Sequence, residues 1–361
     1  MHIETRLNVC LKGTLRMLAV ACLVLSCQVS VSAESISSPA SISPHSLDQL
    51  PELEYQEATY EWVSDAFGKG RYAQIETIGK RYRRTGARTS SGLWKSGMLY
   101  NGISGYAKGH IEDEASFEIL LRHHDQWIAA FPQSPMPYIG RVRSIIARAF
   151  AVRGGGYAST VAPAAWPIFH QLVEQARQEL ERSKVIAAED PQWYGEMLNI
   201  GKLQNWPRDA FGVLADEAVT RYPSYYPIYF EMTTYFLPKW HGDIQQLDLF
   251  AKAAMKRVPS EDASAIYARI YWMASQSQFD LRVFSGSVVD WRQMVSGMQA
   301  VLSRYPDQWN INNFALFACA AGDGKTTAAM MNRIEGTPIM DAWRSKNRYE
   351  ACLHLAQAQR L

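Results

Sequence analysis

Apolar residues recur at helical spacing along nearly the whole chain after about Pro51. In one long stretch they fall on a single helix face: Phe169, Leu172, Val173, Ala176 and Leu180. The strict alternation of apolar and polar residues that marks a half-buried strand is not sustained anywhere in the sequence. The pattern therefore predicts an all-α fold.

The segment Leu302–Asp323 (LSRYPDQWNINNFALFACAAGD) shows how the predicted helices are joined. Its Arg304-Tyr-Pro306 run ends one helix, because proline has no backbone donor and disfavours helix in the residue before it. An apolar stripe then predicts the next helix: Ile311, Phe314, Ala315 and Ala318. Gly322 supplies a left-handed helix end, and Asp323 can cap the helix that follows.

Similar joints recur along the carboxy-terminal half. Prolines close successive helix pairs at intervals of 32, 36 and 47 residues, at Pro191, Pro223, Pro259 and Pro306. A helix, a turn and a second helix every ~34 residues is the tetratricopeptide period. An insertion at Phe279–Ser287 explains the longest interval. By spacing rather than by identity, residues 190–340 resemble a degenerate tetratricopeptide-type array. The predicted fold class is an all-α, tetratricopeptide-like helical hairpin solenoid, that is, an α-α superhelix.

Several runs also resemble a bacterial family of domains of unknown function. They are Tyr226-Pro-Ile-Tyr-Phe230, Leu237-Pro-Lys-Trp-His-Gly242 and Tyr267-Ala-Arg-Ile-Tyr-Trp272. The likeness extends back to Ala147–Gly154 and forward to Asn313–Asp323, so it covers about residues 115–345. The resemblance implies a helical protein, exported or cytosolic, and it implies no reaction.

Residues 1–33 have the pattern of an export signal. They contain three basic residues, Arg6, Lys12 and Arg16. Met17–Cys27 is an uncharged apolar core that is too short to span a bilayer. Val31-Ser-Ala33 offers small residues for cleavage after Ala33. The sequence therefore predicts a periplasmic or secreted protein.

Two alternatives stay open at the amino terminus. The apolar core can remain as an uncleaved anchor, or Cys27 can carry a lipid, because Val24-Leu-Ser-Cys27 resembles a bacterial lipobox. The Ser- and Pro-rich residues 34–48 predict a disordered leader. An N-terminal helical region at 49–189 and a tetratricopeptide-like region at 190–361 complete the predicted organisation. No later segment approaches the ~20 apolar residues of a membrane span.

Charge gives no support for a nucleic-acid partner. The 361-residue chain has 37 basic and 35 acidic residues, and cleavage after Ala33 removes three basic residues and Glu4, which leaves the two signs equal. One dense basic cluster remains, Arg81-Tyr-Arg-Arg84 with Arg88 beyond it. It can be a solvated helix end or an anion site, and the sequence favours the solvated end.

Cysteine placement leaves two residues beyond the predicted signal, Cys319 and Cys352. An oxidising periplasm would allow them to pair. They are 33 residues apart, close to one repeat, and equivalent faces of stacked helices lie about 8–10 Å apart. A disulfide needs Cα atoms within about 7 Å. The spacing therefore favours two buried free thiols over a bridge.

The motifs give no catalytic residue, metal or cofactor. Gly322–Thr326 resembles a phosphate-binding loop, but Cys319 stands where the first glycine is required. His170 and Glu174 lie one helical turn apart, yet they supply only two of the ligands that a zinc site needs. A Gly-x-Ser-x-Gly elbow does not occur in the sequence.

The candidate binding residues cluster around one turn: Tyr226, Tyr229, Lys239, Trp240 and His241. Their rings could form an aromatic ledge for a glycan or a peptide. Trp240 could equally fill the seam between two helices while His241 caps one of them, and the sequence favours the seam.

The predicted function is an exported binding or scaffold protein for an unknown protein or peptide partner, because stacked helical hairpins create a groove. The alternative is a cell-envelope enzyme that cleaves glycan through paired carboxylates brought together by the fold. Candidates for that pair are Glu112, Asp113, Glu114, Glu174 and Asp243.

Overall fold

The computed structural model of the protein describes residues 47–358. Helices dominate these residues, none of them is in a strand, and the predicted all-α class is confirmed. The helices are α1 Glu52–Gly68, α2 Tyr72–Thr85, α3 Lys95–Lys108, α4 Glu114–Ala130, α5 Pro135–Arg153, α6 Ala165–Ala187, α7 Gln192–Leu203, α8 Arg208–Arg221, α9 Tyr226–Tyr235, α10 Ile244–Ala254, α11 Ala263–Ala274, α12 Val283–Gly286, α13 Trp291–Arg304, α14 Gln308–Ala320, α15 Gly324–Met331, α16 Met340–Trp343 and α17 Lys346–Gln357.

The predicted joint around α14 is confirmed. Helix α13 ends at Arg304, and α14 begins two residues after Pro306. At the other end, Gly322 has a φ of 75°, and the Asp323 carboxylate accepts a hydrogen bond from the Thr326 backbone at 2.9 Å. The helix itself differs from expectation, since it is buried on every side between Trp309 and Ala318. A one-sided apolar stripe is typical of an outer helix, whereas α14 is an inner one.

The described residues divide into two compact units, one of residues 47–89 and 94–231 and the other of residues 90–93 and 232–358. The point of division falls within α9. The boundary at 189/190 that the repeat spacing suggests was drawn from sequence pattern alone, and it stays a prediction.

In the first unit, helices pack on the adjacent helix in sequence and on the second helix along the chain. Helix α3 packs on α1 and on α5, and α5 packs on α4, α6 and α7. Every residue of α7 is buried. Polar side chains of α7 must therefore find partners inside the protein, since burial without a hydrogen bond is costly.

In the second unit, α11 packs on α10 and α13, and α14 packs on α13 and α15. Helix α11 runs into a π-helix at Ser275–Phe279 and then a 3₁₀ turn at Asp280–Arg282. The predicted insertion therefore corresponds to irregular helical turns, which begin four residues earlier than the sequence suggested.

Cys319 of α14 and Cys352 of α17 form a disulfide, and their Cα atoms lie 5.5 Å apart. The expectation of two free thiols is wrong. The prediction of free thiols placed the two cysteines on equivalent faces of stacked helices. Instead, Cys319 lies near the end of α14, where that helix contacts α17 directly.

Leu47 and Asp48, the last two residues of the predicted leader, belong to the folded part. Leu47 is buried, and Asp48 pairs with Arg81 at 2.8 Å and with Lys95 at 2.5 Å. The predicted signal, its cleavage after Ala33 and a lipid on Cys27 lie outside the described residues. Among residues 47–358, no helix combines the length and apolarity needed to cross a membrane.

Candidate functional site

A pocket of about 260 Å³ opens in the first unit. Its walls come from the last turn of α2, the start of α3, and the two turns that join α6 to α7 and α8 to α9. Pro191 and Pro223 both line it. Two of the proline joints that the sequence repeats therefore contribute to one cavity.

Asp190, which stands between the lining residues Glu189 and Pro191, is fully buried. Its carboxylate accepts hydrogen bonds from the Tyr100 hydroxyl at 2.8 Å and from the Gln192 backbone at 2.9 Å. Arg83, which lines the pocket, donates to the same carboxylate at 3.3 Å. Burial and the adjacent Asp190 charge raise the pKa of Tyr100 well above its usual value, so this hydroxyl remains a donor.

The indole of Trp94 forms one wall and is held from several sides. Its Nε1 donates to the Ser224 carbonyl at 2.9 Å. The Arg88 guanidinium lies 3.8 Å from the centroid of the indole, and the Tyr225 ring meets the indole edge-on at 5.0 Å. These contacts fix the wall before any ligand arrives, which lowers the entropy cost of binding.

The rim of the pocket carries a second arginine. Arg221 pairs with Glu189 at 2.6 Å, and the two side chains are 41% and 69% exposed. Next to Arg221, the Tyr222 hydroxyl donates to the Ala188 carbonyl at 2.8 Å and ties the two turns together. An ion pair this exposed contributes under about 1 kcal/mol, so a competing anion could displace Glu189.

Behind the pocket lies a row of buried charges. Arg143 pairs with Glu196 at 2.6 Å, and Gln192 donates to the same carboxylate at 2.7 Å. Lys202 pairs with Glu231 at 3.2 Å, and burial raises the pKa of the Glu231 carboxyl. Each of these carboxylates has a cationic partner, which explains how α7 can be buried on every side.

The predicted binding residues Tyr226 and Tyr229 belong to the core of the first unit. Their side chains are only 2% and 1% exposed. The Tyr229 hydroxyl donates to the Pro223 carbonyl at 3.0 Å. These rings support the turn that lines the pocket, and they cannot serve as an exposed ledge.

Lys239, Trp240 and His241 lie in the second unit. Lys239 donates through its backbone to the Gln278 side chain at 3.0 Å and through its ammonium group to the Ser277 carbonyl. The His241 ring lies 4.7 Å from Tyr235, and Trp240 is 37% exposed. The turn is thus attached to the π-helix, and Pro238, Lys239 and Trp240 are exposed to solvent on it.

Four of the five carboxylates considered for glycan cleavage, all except Glu112, have structural partners. Asp113 and Asp243 accept backbone hydrogen bonds at the starts of α4 and α10. Glu114 pairs with Arg148 at 3.4 Å. Hydrogen bonds from Arg177 lower the pKa of Glu174 to about 2. Two of these groups are thus helix caps, and two are paired with arginines.

Metal binding at His170 has no support in the described part of the chain. His170 stacks on Trp166 with ring centroids 5.6 Å apart. No cluster of three or more His, Cys, Asp or Glu side chains that could hold an ion occurs between residues 47 and 358.

The predicted solvated helix end fits the exposed Arg84 but is wrong for the other three arginines of the basic cluster. Arg81 pairs with Asp48, Arg83 reaches Asp190, and Arg88 stacks on Trp94. Three of its arginines are therefore packed against the protein, and one of them lines the pocket. The cluster and the two proline joints are the sequence signals for this site, but the buried acid that pairs with Arg83 is 107 residues away.

No protein-family model, curated protein or solved structure matches this chain.

Proposed function

We propose that the protein is an exported helical-repeat binding module, and that it holds a partner protein by enclosing one side chain or chain end of that partner in the Arg83–Trp94 pocket. The pocket is the observation that carries the proposal. It combines a fixed aromatic wall with arginine side chains at a joint between helix pairs.

The size of the pocket favours a fragment of a larger partner over a free small molecule. Sites for drug-sized ligands measure about 300–1,000 Å³ and enclose most of the ligand. At about 260 Å³ the pocket lies below that range. A partner protein can add contact area outside the cavity, whereas a free small molecule cannot.

Helix packing supports the solenoid part of the proposal. In the first unit, α3 packs on both α1 and α5, and α5 packs on α7, as expected when successive hairpins stack on one another. The Arg221–Glu189 pair also has a counterpart in the second unit, where Arg304 pairs with Asp262 of an earlier turn. Export, a tetratricopeptide-like arrangement and the bacterial family likeness are parts of the same proposal.

A peptide array tests this function. The purified protein is applied to an array of random peptides, in parallel with Arg83→Gln and with the control Arg304→Gln, which alters the second-unit counterpart of Arg221. We expect the protein and Arg304→Gln to select the same peptides and Arg83→Gln to lose them. An array that shows no selected sequence, or identical selection by all three proteins, would overturn the proposal.

A further inference from the structure

The guanidinium of Arg83 is only partly used within the described chain. An arginine side chain has five N–H donors arranged as a fork. Among the described residues, the one hydrogen-bond acceptor of Arg83 is Asp190, through Nη1 at 3.3 Å. The side chain is 18% exposed and lines the pocket, and its other N–H donors have no hydrogen-bond acceptor among the described residues.

Asp190 does not need Arg83 as its sole partner. Its carboxylate already accepts from Tyr100 and from the Gln192 backbone, at distances under 3 Å. The longer contact with Arg83 therefore holds the guanidinium in place from one side. A second carboxylate on the other side would bind a guanidinium that is already held in position, and this arrangement favours two parallel hydrogen bonds.

The charges around the cavity favour an anion. Three charged side chains line the cavity: Arg83 and Arg221 are cations, and Glu189 is an anion. Glu189 is mostly exposed, so it can turn towards solvent and release Arg221 to a ligand.

Trp94, Tyr222 and Tyr225 give the cavity apolar surface beside these charges. Aromatic rings can pack against the carbon atoms next to a carboxylate while the guanidinium binds its oxygens. A planar carboxylate attached to a short apolar segment therefore matches both halves of the pocket.

We propose that the Arg83–Trp94 pocket recognises a carboxylate of a partner polypeptide, which Arg83 binds through its unused N–H donors and Arg221 binds after releasing Glu189. This inference rests on the proposed function, since it names the chemical group that the binding module recognises. The carboxylate can belong to an acidic side chain or to the chain end, and the experiment separates these two sources.

Three blocked amino acids serve as probes. N-acetylphenylalanine carries a terminal carboxylate, N-acetylglutamic acid α-amide carries only a side-chain carboxylate, and N-acetylphenylalaninamide carries neither. The protein is labelled with fluorotryptophan, and Trp94→Phe identifies the fluorine resonance of Trp94. Each probe is then titrated while the shift of that resonance is measured.

We expect a saturable shift with at least one carboxylate probe. The carboxylate probe that binds more tightly shows whether the pocket recognises an acidic side chain or a chain end. The amide should bind at least about tenfold more weakly. Arg83→Gln should weaken the carboxylate probe about 10- to 100-fold, and Arg304→Gln should leave it unchanged. Glu189→Gln should tighten binding about two- to fivefold, because it removes the competing carboxylate.

Equal binding of the amide and the carboxylate probes would overturn the carboxylate assignment. Unchanged affinity of Arg83→Gln for the carboxylate probe would overturn it as well. Neither result would overturn the proposed function. The absence of any saturable shift with both carboxylate probes would also overturn the carboxylate assignment, and the array would still decide the function. If Arg83→Gln does not fold, Glu189→Gln tests the proposal instead, because a change at this exposed residue leaves the core intact. Unchanged or weaker binding of the carboxylate probe by Glu189→Gln would contradict the proposal.

Discussion

Arg83 Nη1 lies 3.3 Å from Oδ2 of the fully buried Asp190. The two residues come from different helix pairs and are 107 positions apart in sequence. Their contact joins the last turn of α2 to the turn before α7, and it places a guanidinium at the wall of the pocket. The pair therefore connects the stability of the first unit to its candidate site.

Replacing Asp190 should destabilise the protein. Asp190→Asn keeps the shape of the side chain but leaves Arg83 without its anion and presents a donor to Tyr100. Removing one partner of a buried pair costs about 3–5 kcal/mol, and the partial exposure of Arg83 reduces the expected cost to about 2–4 kcal/mol. Urea unfolding measures it. Glu189→Gln, next in sequence but exposed, should cost under about 1 kcal/mol; a similar cost for both variants would contradict this account of Asp190.

The disulfide should contribute strongly to stability. Cys319 and Cys352 close a loop with a sequence separation of 33 residues. Because a closed loop of this length restricts the unfolded chain, the disulfide should raise the free energy of unfolding by about 3–4 kcal/mol. Unfolding midpoints with and without reductant measure the effect. The double variant Cys319→Ser with Cys352→Ser should unfold at the same midpoint as the reduced protein, whether or not reductant is present. If reductant does not change the midpoint of the parent protein, the cysteines are not bridged.

The cap at Asp323 should give a pH-dependent contribution. Burial alone would raise the pKa of this carboxyl, but hydrogen bonds from Thr326 and Trp291 outweigh burial and hold the pKa below its usual value. Because the folded-state pKa lies below that of the unfolded chain, the stabilisation is present above about pH 4 and is lost as the pH falls through the folded value.

Asp323→Ala should therefore cost about 0.5–2 kcal/mol near neutral pH, and the difference from the parent protein should shrink in acid. Unfolding at a series of pH values measures it. Asp323→Asn keeps a capping oxygen without the charge, so its stability should follow that of the parent in acid. A cost for Asp323→Ala that is independent of pH would contradict the assigned role of the charge.

Two tryptophans provide a matched comparison for binding. Trp94 forms a wall of the pocket, whereas Trp240 is 37% exposed on a turn of the second unit. Trp94→Ala should lower affinity for selected peptides at least about tenfold, because it removes the aromatic wall. Trp240→Ala should leave affinity unchanged. Isothermal titration with one array-selected peptide measures both, and a loss confined to Trp240→Ala would move the site to that turn.

Local pattern predicted the parts of the fold that local chemistry determines. Proline after Arg304-Tyr305, glycine at 322 and the cap at Asp323 all act on neighbouring backbone, and the helix ends lie where these residues predict them. Burial on both sides of α14 could not be predicted in the same way, since it depends on which helices surround it.

The candidate site escaped prediction for a similar reason. Arg83 looks like one of several basic residues at a helix end until Asp190 is known to lie beside it. Tyr226 and Tyr229 attracted attention because they are aromatic residues in a cluster, although their rings fill the core. Sequence supplies the residue types, and contacts across many residues decide which of them face a cavity.

Site-specific photo-crosslinking in cells tests the central claim most directly. A photoreactive phenylalanine analogue replaces Tyr222 at the pocket or, as the control, Tyr305, which follows Arg304 in the corresponding joint of the second unit. We predict that illumination links a partner protein to position 222, that position 305 gives no such product, and that Arg83→Gln abolishes the product at 222. Equal crosslinking at both positions, or a product at 222 that persists in Arg83→Gln, would contradict the claim that this pocket holds the partner.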